Sequence, residues 1–303
     1  MSEDAVAVII PTFNHARYVA RAVQSVLDQT HRPAEVIVVD DGSSDNTSEV
    51  LASFGSRIRA VRQENRGVAA ARNLGAKLST SPLLAFLDAD DAWHLTKLER
   101  QVERLAAEPG IGLVNCGLEE VDETGRTLGY RAEGLGGWVA RELFLLHDGV
   151  APAGGSTVLI PRAVFDSVGG YDERLSTSAD WDLSLRIATR YPIEFISEPL
   201  VLYTLHGGGM HLNIATMEHD TRLAFQKAFA SAPETFAPLR REALSRLYMI
   251  LGASYFTNGN PRRGTRLIAK SILYRPERAL YVFGYPVRRL RRWRHSQGAA
   301  AIA

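Results

Sequence analysis

The sequence contains a single cysteine, Cys116, among its 303 residues. One cysteine cannot form an internal disulfide, and the sequence has no CxxC pair or Cys/His cluster to hold zinc or an iron–sulfur centre. The sequence therefore favours a reducing compartment and predicts a cytoplasmic location.

Long apolar runs are also missing. No stretch approaches the roughly 18 apolar residues that a membrane-spanning helix needs. Residues 1–11 have no basic start, and their apolar run of six residues ends before Pro11. The N-terminus is therefore predicted to be neither a signal peptide nor a membrane span.

The common phosphate-binding motifs are absent from the sequence too. It has no P-loop and no GxGxxG motif, so any phosphate would have to be held by a metal and cationic side chains.

The composition is that of a globular protein, but the charge is unevenly distributed. The chain has 35 Lys and Arg against 34 Asp and Glu, and 46% of its residues are apolar. Residues 261–295 hold 11 basic residues and one acidic residue, which leaves 24 basic against 33 acidic residues elsewhere. The sequence thus predicts an acidic body with a basic tail.

Short β-branched apolar runs alternate with amphipathic helical patterns over the first hundred residues. This alternation predicts an α/β fold with a mainly parallel sheet flanked by helices. Asn14 is the expected N-cap of the first helix, and Asn46 with Glu49 resembles a capping box for the second. The predicted strands are Ala5–Ile10, Glu35–Val39, Ile58–Arg62 and Leu83–Leu87, and the later helices are 68–78 and 95–107.

The alternation changes after Pro109–Gly110. Two strands around an Asp-Glu-Thr-Gly turn, a strand Ser156–Ile160, a helix Asp180–Arg190 and an extended stretch 193–205 follow. Beyond Asn213 the pattern is helical to about Tyr274. We therefore divide the chain into parts 1–110, 111–212 and 213–303.

Polar groups follow each of the first four predicted strands. Parallel strands place their carboxyl ends on one edge of a sheet, where ligands of open α/β folds bind. Each group alone is equally consistent with a turn or a helix cap. The four segments are Pro11-Thr12-Phe13-Asn14, Asp40-Asp41-Gly42-Ser43, Glu64-Asn65-Arg66-Gly67 and Asp88-Ala89-Asp90-Asp91.

The last of these segments holds three carboxylates within four residues, directly after the apolar run LLAFL. At a partly dehydrated strand end these charges repel one another unless a cation offsets them. Mg²⁺ or Mn²⁺ is the natural partner, since both accept carboxylate oxygens and complete their shells with water and substrate phosphates. Taken alone, an Asp-rich turn before a helix is more often a cap.

Four motifs, in order, resemble family 2 of the nucleotide-sugar glycosyltransferases. They are VIIPTFNHARYVARAVQSVLDQT, VDDGSSDNT, ENRGVAAARNLGA and FLDADDAW, and the resemblance covers roughly residues 5–212. It implies a GT-A fold, in which a nucleotide-sugar-binding half (1–110) is fused to an acceptor-binding half (111–212). It also implies inverting transfer of a sugar from a nucleoside-diphosphate-sugar donor.

The resemblance also implies roles for the residues at the strand ends. Those that match the donor site are Pro11, Thr12, Phe13, Asp40, Asp41, Arg72, Asp88 and Asp90. Within the acidic motif, Asp90 and Asp91 are the expected metal ligands. His206 matches a family histidine that contacts the metal or diphosphate, although Thr204 replaces the usual Arg nearby. Gly207–Gly209 would permit a mobile loop, and His211 is a weaker candidate for the same role.

Ser178-Ala179-Asp180-Trp181-Asp182 resembles the family's second acidic motif, in which the first of the two spaced aspartates is the catalytic base. This selects Asp180. Residues two apart on a helix point in different directions, so Asp182 is expected to be structural. Ala179 stands where the family usually has Glu. A helix N-cap is the simpler explanation of this motif taken alone.

Three tryptophans are further candidates for the site. Trp93, Trp138 and Trp181 could stack on sugar rings or pack in the core.

The segment 280–295 joins apolar and aromatic residues to a cluster of arginines around Trp293. Such a segment can lie in a lipid interface, whereas the alternatives are a solvated tail or a nucleic-acid contact. The acidic body argues against nucleic acid, so we favour peripheral membrane contact at the inner face of the cell membrane.

Together these features predict a metal-dependent glycosyltransferase that acts on a surface glycan or its lipid-linked precursor. One alternative is a sugar-1-phosphate nucleotidyltransferase, which would carry a Gly-rich, basic signature after the first strand. The other is a catalytically silent protein with the same fold, against which the joint presence of Asp90, Asp91 and Asp180 argues.

Overall fold

The computed structural model describes residues 2–147, 154–207 and 213–283. The strands in these residues are β1 (Val6–Thr12), β2 (Glu35–Asp40), β3 (Arg59–Arg62), β4 (Leu83–Phe86), β5 (Ala92–Trp93), β6 (Leu113–Val121), β7 (Thr127–Arg131), β8 (Leu159–Pro161) and β9 (Ile193–Thr204). The helices are α1 (Val19–Leu27), α2 (Thr47–Ala52), α3 (Val68–Leu78), α4 (Lys97–Ala107), α5 (Ala140–Phe144), α6 (Arg162–Ser167), α7 (Ala179–Ala188), α8 (Ile214–Ser231), α9 (Pro233–Phe236), α10 (Arg240–Thr257), α11 (Pro261–Tyr274) and α12 (Arg278–Phe283).

The described strands form one sheet in the order β3-β2-β1-β4-β8-β6-β9-β5, with β7 paired to β6. Strands β1 to β4, β6 and β9 run in one direction, while β5, β7 and β8 run against it. The predicted fold class, a mainly parallel α/β sheet with further helices at the C-terminus, is confirmed. Strand β5 was not predicted, because two residues are too short to show a period.

Alternate residues of the central strands bury against helices on opposite faces. Val8 and Ile10 of β1 pack in a cluster that includes Val23 of α1, whereas Ile9 points to the α3 side. The contact with α3 is close because Gly75 has no side chain: a Cβ there would lie 2.4 Å from Cγ2 of Ile9. The period of two along the strands thus places one helix on each face.

Asn14 does not cap α1, so this part of the prediction is wrong. The helix begins at Val19, and Asn14 adopts a φ of 55° in the loop before it. Its side-chain Oδ1 accepts a hydrogen bond from the backbone N–H of Ser44 at 2.7 Å, and its own N–H donates to Oγ of Ser43 at 2.9 Å. Asn14 therefore ties the loop after β1 to the loop after β2.

The chain divides into two compact units, Met1–Ala232 and Pro233–Ala303. Helix α8 belongs to the first unit, whereas the predicted boundary at residue 213 places it in the C-terminal extension. In the second unit, the buried Ser245 and Ser271 hydroxyls each donate to the other residue's backbone carbonyl and so join α10 to α11. Among the described residues, no helix is both long and apolar enough to cross a membrane.

Candidate active site

The carboxyl ends of β1, β2, β4 and β9 meet at one edge of the sheet, and the predicted site residues cluster there. Pro11 and Thr12 close β1, and Thr12 is only 3% exposed. The Thr12 hydroxyl is buried and has no hydrogen-bond partner within the described residues. Phe13, the next residue, is 41% exposed. This strand end thus offers a hydroxyl with unused hydrogen-bonding capacity and an open aromatic ring.

Asp40 and Asp41 hold the surrounding loops. Oδ1 of Asp40 accepts from the N–H of Ser43 at 2.8 Å, within the loop after β2. Oδ1 of Asp41 accepts from the N–H of Arg66 at 2.9 Å, and its Oδ2 accepts from the N–H of Gly67 at 2.8 Å. Both carboxylates are buried. They therefore fix the loops after β2 and β3.

A buried arginine bridges the two halves of the site. Arg72 of α3 is 1% exposed, and its guanidinium donates to Oδ1 of Asp88 at 2.5 Å and to Oδ1 of Asp180 at 2.8 Å. The ring of Tyr171 lies 5.0 Å from the guanidinium carbon. Burial disfavours the charge of Arg72, but the two carboxylates outweigh it and raise the guanidinium pKa. Arg72 therefore lies between the acidic motif and the candidate base.

Asp91 is anchored by protein groups. Its Oδ2 accepts from Oγ of Ser156 at 2.6 Å, and its Oδ1 accepts from the N–H of Thr204 at 3.0 Å. Burial, together with the charges of Asp90 and Asp88, raises its pKa well above the usual range. Oγ of Ser156 also accepts from the N–H of Asp88 at 3.1 Å. Ser156 was not predicted as a site residue, because a serine at the start of a predicted strand carries no distinguishing pattern; in the structure it lies in a short 3-10 turn before β8.

Asp90 points instead toward two histidines. Nε2 of His206 lies 2.9 Å from Oδ2 of Asp90, and Nε2 of His15 lies 3.9 Å from the same oxygen. The candidate ligand atoms of these three residues all lie within 4.8 Å of one another. His15 was not singled out in the sequence analysis, although its place in PTFNHA directly after β1 was visible. We call His15, Asp90 and His206 the His–Asp–His cluster.

A second arginine reaches the same loop from α1. Nη2 of Arg21 donates to the backbone carbonyl of Asp90 at 2.6 Å and to Oγ1 of Thr204 at 2.5 Å. Thr204 stands at the position where the family resemblance implies an arginine. In this structure a guanidinium comes instead from Arg21 of α1, and it donates a hydrogen bond to the Thr204 hydroxyl.

Asp180 and Asp182 point in different directions from the first turn of α7. Oδ1 of Asp182 accepts from Nζ of Lys227 at 2.7 Å, and its Oδ2 accepts from Nε of Arg186 at 2.9 Å. Asp182 is buried by these contacts, whereas the Asp180 side chain keeps 27% of its surface exposed. Only Asp180 lies beside Arg72 and the acidic motif.

Helix α8 holds the loop that precedes Asp180. Oδ2 of Asp220 accepts from the N–H groups of Ser176 and Thr177 at 2.8 and 2.9 Å, and from both of their hydroxyls. Burial opposes ionisation of Asp220, but these hydrogen bonds lower its pKa overall. The orientation of α7 at the site therefore depends on a residue 40 positions further along the chain than Asp180.

The three tryptophans differ in what they contact. Trp93 is buried and donates to the carbonyl of Ser156, and Trp181 stacks on Phe225 with ring centroids 5.2 Å apart. Trp138 is 68% exposed. Core packing thus accounts for Trp93 and Trp181.

Some residues named in the sequence predictions lie outside the described residues. They are Gly208, Gly209, His211 and most of the basic segment 280–295.

Known proteins resemble this chain in sequence and in fold. Residues 7–169 match the family described as glycosyl transferase family 2. An uncharacterized glycosyltransferase of Rickettsia conorii is 29% identical over 260 residues, which cover 84% of this chain and 43% of the relative. The chain thus spans less than half the length of that relative.

Two further matches have more specific names. The Escherichia coli enzyme named UDP-Glc:alpha-D-GlcNAc-diphosphoundecaprenol beta-1,3-glucosyltransferase WfgD is 39% identical over 107 residues, which are 35% of this chain and 42% of that protein. The structure of a mannosyltransferase from Pyrobaculum calidifontis, in complex with GDP-Man and Mn²⁺, superposes with a TM-score of 0.61 and 21% identity. The superposition covers 93% of this chain and 79% of the mannosyltransferase chain. This likeness confirms the GT-A fold.

The chain belongs to glycosyl transferase family 2. The family resemblance and the fold inferred from the four sequence motifs are therefore confirmed.

Proposed function

We propose that this chain catalyses the inverting, metal-dependent transfer of a sugar from a nucleoside-diphosphate sugar to an acceptor hydroxyl. One observation carries the proposal: the same acidic motif contacts a cluster suited to a cation on one side and, through an arginine, a carboxylate suited to act as a base on the other. His206 contacts Asp90 of this motif, and Arg72 donates to both Asp88 of the motif and Asp180. Family membership favours glycosyl transfer over sugar-1-phosphate nucleotidyl transfer.

The His–Asp–His cluster fits a divalent cation through the chemistry of its donors, since a carboxylate binds Mg²⁺ or Mn²⁺ and a neutral imidazole can bind Mn²⁺. When bound, such an ion offsets the charge that develops on the diphosphate leaving group. Asp90 and His206 would hold it. Asp91 was predicted as a ligand, but its carboxylate is bonded to Ser156 and Thr204, so we assign it the role of fixing the Asp90 loop. The solved mannosyltransferase in complex with Mn²⁺ supports a metal at a GT-A site.

The donor would lie along the ends of β1 and β2. Pro11, Asp40 and Asp41 would line it. The hydroxyl of Thr12, which has no hydrogen-bond partner in the described part of the chain, can bond to the nucleoside. The exposed ring of Phe13 can pack against it. Asp88 would act on the donor indirectly, because it accepts a hydrogen bond from Arg72 and so would hold that guanidinium near the donor.

Asp180 would accept the proton of the acceptor hydroxyl during attack on the anomeric carbon. Arg72 holds one oxygen of the Asp180 carboxylate and thereby orients the group, while Asp220 fixes the preceding loop. Inversion needs a single protein base, because the leaving group is stabilised elsewhere in the site.

The acceptor we propose is a growing surface glycan or its lipid-linked precursor. The name of the WfgD relative specifies a diphosphoundecaprenol-linked acceptor. The basic segment 280–295 would bring the chain to such an acceptor at the cytoplasmic face of the membrane.

The experiment is to incubate the full chain with a panel of nucleotide sugars and Mn²⁺, with and without EDTA, and to measure donor binding and donor hydrolysis. We expect one donor to bind in a metal-dependent way. With that donor, Asp180→Asn should lower turnover by about 100-fold or more while binding persists. Asp182→Asn is the matched control and should mainly lower stability.

Donor binding that is unchanged by EDTA would contradict the metal assignment. Equal turnover for Asp180→Asn and the unmodified chain would remove Asp180 as the base. The absence of donor binding across the panel would favour a silent protein of this fold.

A further inference from the structure

The aromatic ring of Tyr171 packs on the arginine that joins the acidic motif to the candidate base. The guanidinium carbon of Arg72 lies over this ring, 5.0 Å from its centre. We propose that Tyr171 is a positioning residue for the reaction: its ring fixes the Arg72 guanidinium, which in turn orients the Asp180 carboxylate. This inference rests on the proposed function and adds a residue that lies outside both acidic motifs.

A glycine turn brings Tyr171 to this place. Gly169 and Gly170 follow α6 and have φ values of 82° and 67°, in the left-handed region that favours glycine. A Cβ at Gly170 would lie 2.9 Å from Oδ1 of Asn73 and 3.2 Å from the ring of Phe165. The turn can therefore pass close to α3 because Gly170 has no side chain.

Asn73, the residue after Arg72 on α3, holds the backbone of Tyr171. Its Oδ1 accepts from the N–H of Tyr171 at 2.9 Å, and its Nδ2 donates to the Tyr171 carbonyl at 2.9 Å. The same Nδ2 also donates to Oε1 of Glu173 at 3.2 Å. The backbone of Tyr171 is thus fixed to the helix that carries Arg72.

The ring of Tyr171 is held by other aromatic rings. It is 3% exposed, and it packs edge to face with Phe86 of β4 and Phe165 of α6, at centroid distances of 5.2 and 5.9 Å. Burial raises the pKa of the Tyr171 hydroxyl well above its usual range, although the charge of Arg72 opposes the shift. The hydroxyl therefore stays protonated at neutral pH, and Arg72 meets a neutral aromatic ring rather than a phenolate.

Arg72 needs such a contact because it is removed from water. A buried charge is costly unless protein groups replace its hydration, and Arg72 is 1% exposed. Asp88 and Asp180 bind two of its nitrogens. The face of an aromatic ring attracts a cation within about 6 Å, and this attraction is stronger where water is excluded. Tyr171 thus gives the guanidinium a third contact besides the two carboxylates.

The test compares two substitutions of Tyr171 in the full chain. Tyr171→Leu removes the aromatic face, whereas Tyr171→Phe keeps it and removes only the hydroxyl. Phe165→Leu is the matched control, because Phe165 packs on the same rings. Among the described residues Phe165 makes no contact with Arg72 of the kind that Tyr171 makes.

Two properties are measured for each variant. Nitrogen-15 NMR of the arginine side chains reports the surroundings of the Arg72 guanidinium, and the Arg72 signal is identified by its absence in Arg72→Lys. Donor affinity and turnover are measured with the nucleotide sugar that the donor panel identifies. Thermal unfolding verifies that the variants are folded.

We expect Tyr171→Leu to shift the Arg72 signal and to lower turnover by about tenfold or more, since small misplacements of catalytic groups can cost about 100-fold. Donor affinity should change less than turnover. Tyr171→Phe should restore both the signal and turnover to near those of the unmodified chain. Phe165→Leu should lower the unfolding temperature without a matching loss of turnover.

Three results would overturn the inference while the proposed function stands. An unmoved Arg72 signal in Tyr171→Leu would show that the ring does not hold the arginine. Equal losses of turnover in Tyr171→Leu and Tyr171→Phe would assign the effect to the hydroxyl, and an equal loss in Phe165→Leu would assign it to general packing. No donor binding to the unmodified chain would remove the proposed function, and this inference with it.

Discussion

Gly155 illustrates how a residue without a side chain can control this site. A Cβ at this position would lie 2.7 Å from Nη2 of Arg72 and 3.2 Å from Oδ1 of Asp180. These are the groups that join the acidic motif to the candidate base, and Arg72 is too buried to move aside freely.

Gly155→Ala should therefore separate Arg72 from Asp180. We expect the free energy of unfolding to fall by about 1–3 kcal/mol through overpacking, and turnover of the bound donor to fall with it. Chemical unfolding and donor turnover measure the two effects. Gly129→Ala is the control, because its Cβ would make only an ordinary 3.5 Å contact with Glu120. Unchanged turnover in Gly155→Ala would show that the Arg72–Asp180 contact does not orient the base.

Lys97 is a buried lysine that has no carboxylate partner among the described residues. It is fully buried, donates to Oε1 of Gln101 at 2.7 Å, and lies 3.9 Å from the ring centroid of Trp93. Burial lowers its pKa to about 8. The unfolded chain, in which a lysine has a pKa of about 10.4, then binds more protons than the folded chain between these values. Stability linked to Lys97 should therefore rise as the pH rises from about 8 to 10.5.

Lys97→Met keeps the apolar stem and removes the charge. Relative to this variant, the unmodified chain should gain about 3 kcal/mol between pH 7 and pH 10.5, since each pKa unit corresponds to about 1.4 kcal/mol. Urea unfolding of both proteins at several pH values measures the difference. Parallel curves for the two proteins would mean that Lys97 titrates normally in the folded state.

At the scale of whole elements, α8 acts as a brace for α7. Asp220 binds the loop before Asp180 through four hydrogen bonds to one oxygen, and Lys227 binds Asp182. The helix follows His206 in the chain, so it lies in sequence between a residue of the proposed metal site and the C-terminal unit, while its side chains contact the helix of the proposed base.

Asp220→Ala should release the loop 176–178. We expect faster amide hydrogen exchange there and lower turnover, with donor binding retained because the donor groups lie on other loops. Glu35→Ala is a matched control: one oxygen of Glu35 also accepts four hydrogen bonds, from Ser79, Thr80 and Ser81, far from Asp180 in sequence. If both variants lose stability but only Asp220→Ala loses turnover, the brace is functional. Equal losses of turnover would reduce α8 to a general structural role.

For the whole molecule, the charge distribution leads to a prediction about membranes. Deleting residues 285–303 removes the arginine cluster and Trp293 but none of the proposed site residues. The shortened chain should bind donor normally and lose affinity for anionic vesicles. Vesicle binding by the full chain should weaken as salt rises, because exposed charges are screened over about 8 Å at physiological ionic strength. Equal co-sedimentation of the two forms at low salt would show that the segment is a solvated end.

Local patterns in the sequence determined much of this protein. The four N-terminal strands and the helices between them follow from apolar periodicity, which depends on neighbouring residues only. The order of four motifs at strand ends was enough to identify the family. The different directions of the Asp180 and Asp182 side chains also follow from the geometry of a single helix.

The tertiary structure decided which of these polar residues meet. His15, Asp90 and His206 come from three strand ends that lie up to 191 positions apart, and Arg72 reaches Asp180 across 108 positions. No periodicity in the local sequence predicts such pairings. They depend on the strand order β2-β1-β4-β8-β6-β9 and on which face each side chain leaves. The same long-range packing turned Asp91 inward to Ser156 and drew Asn14 away from the helix it was expected to cap, because buried polar groups bind the partners that the fold brings near.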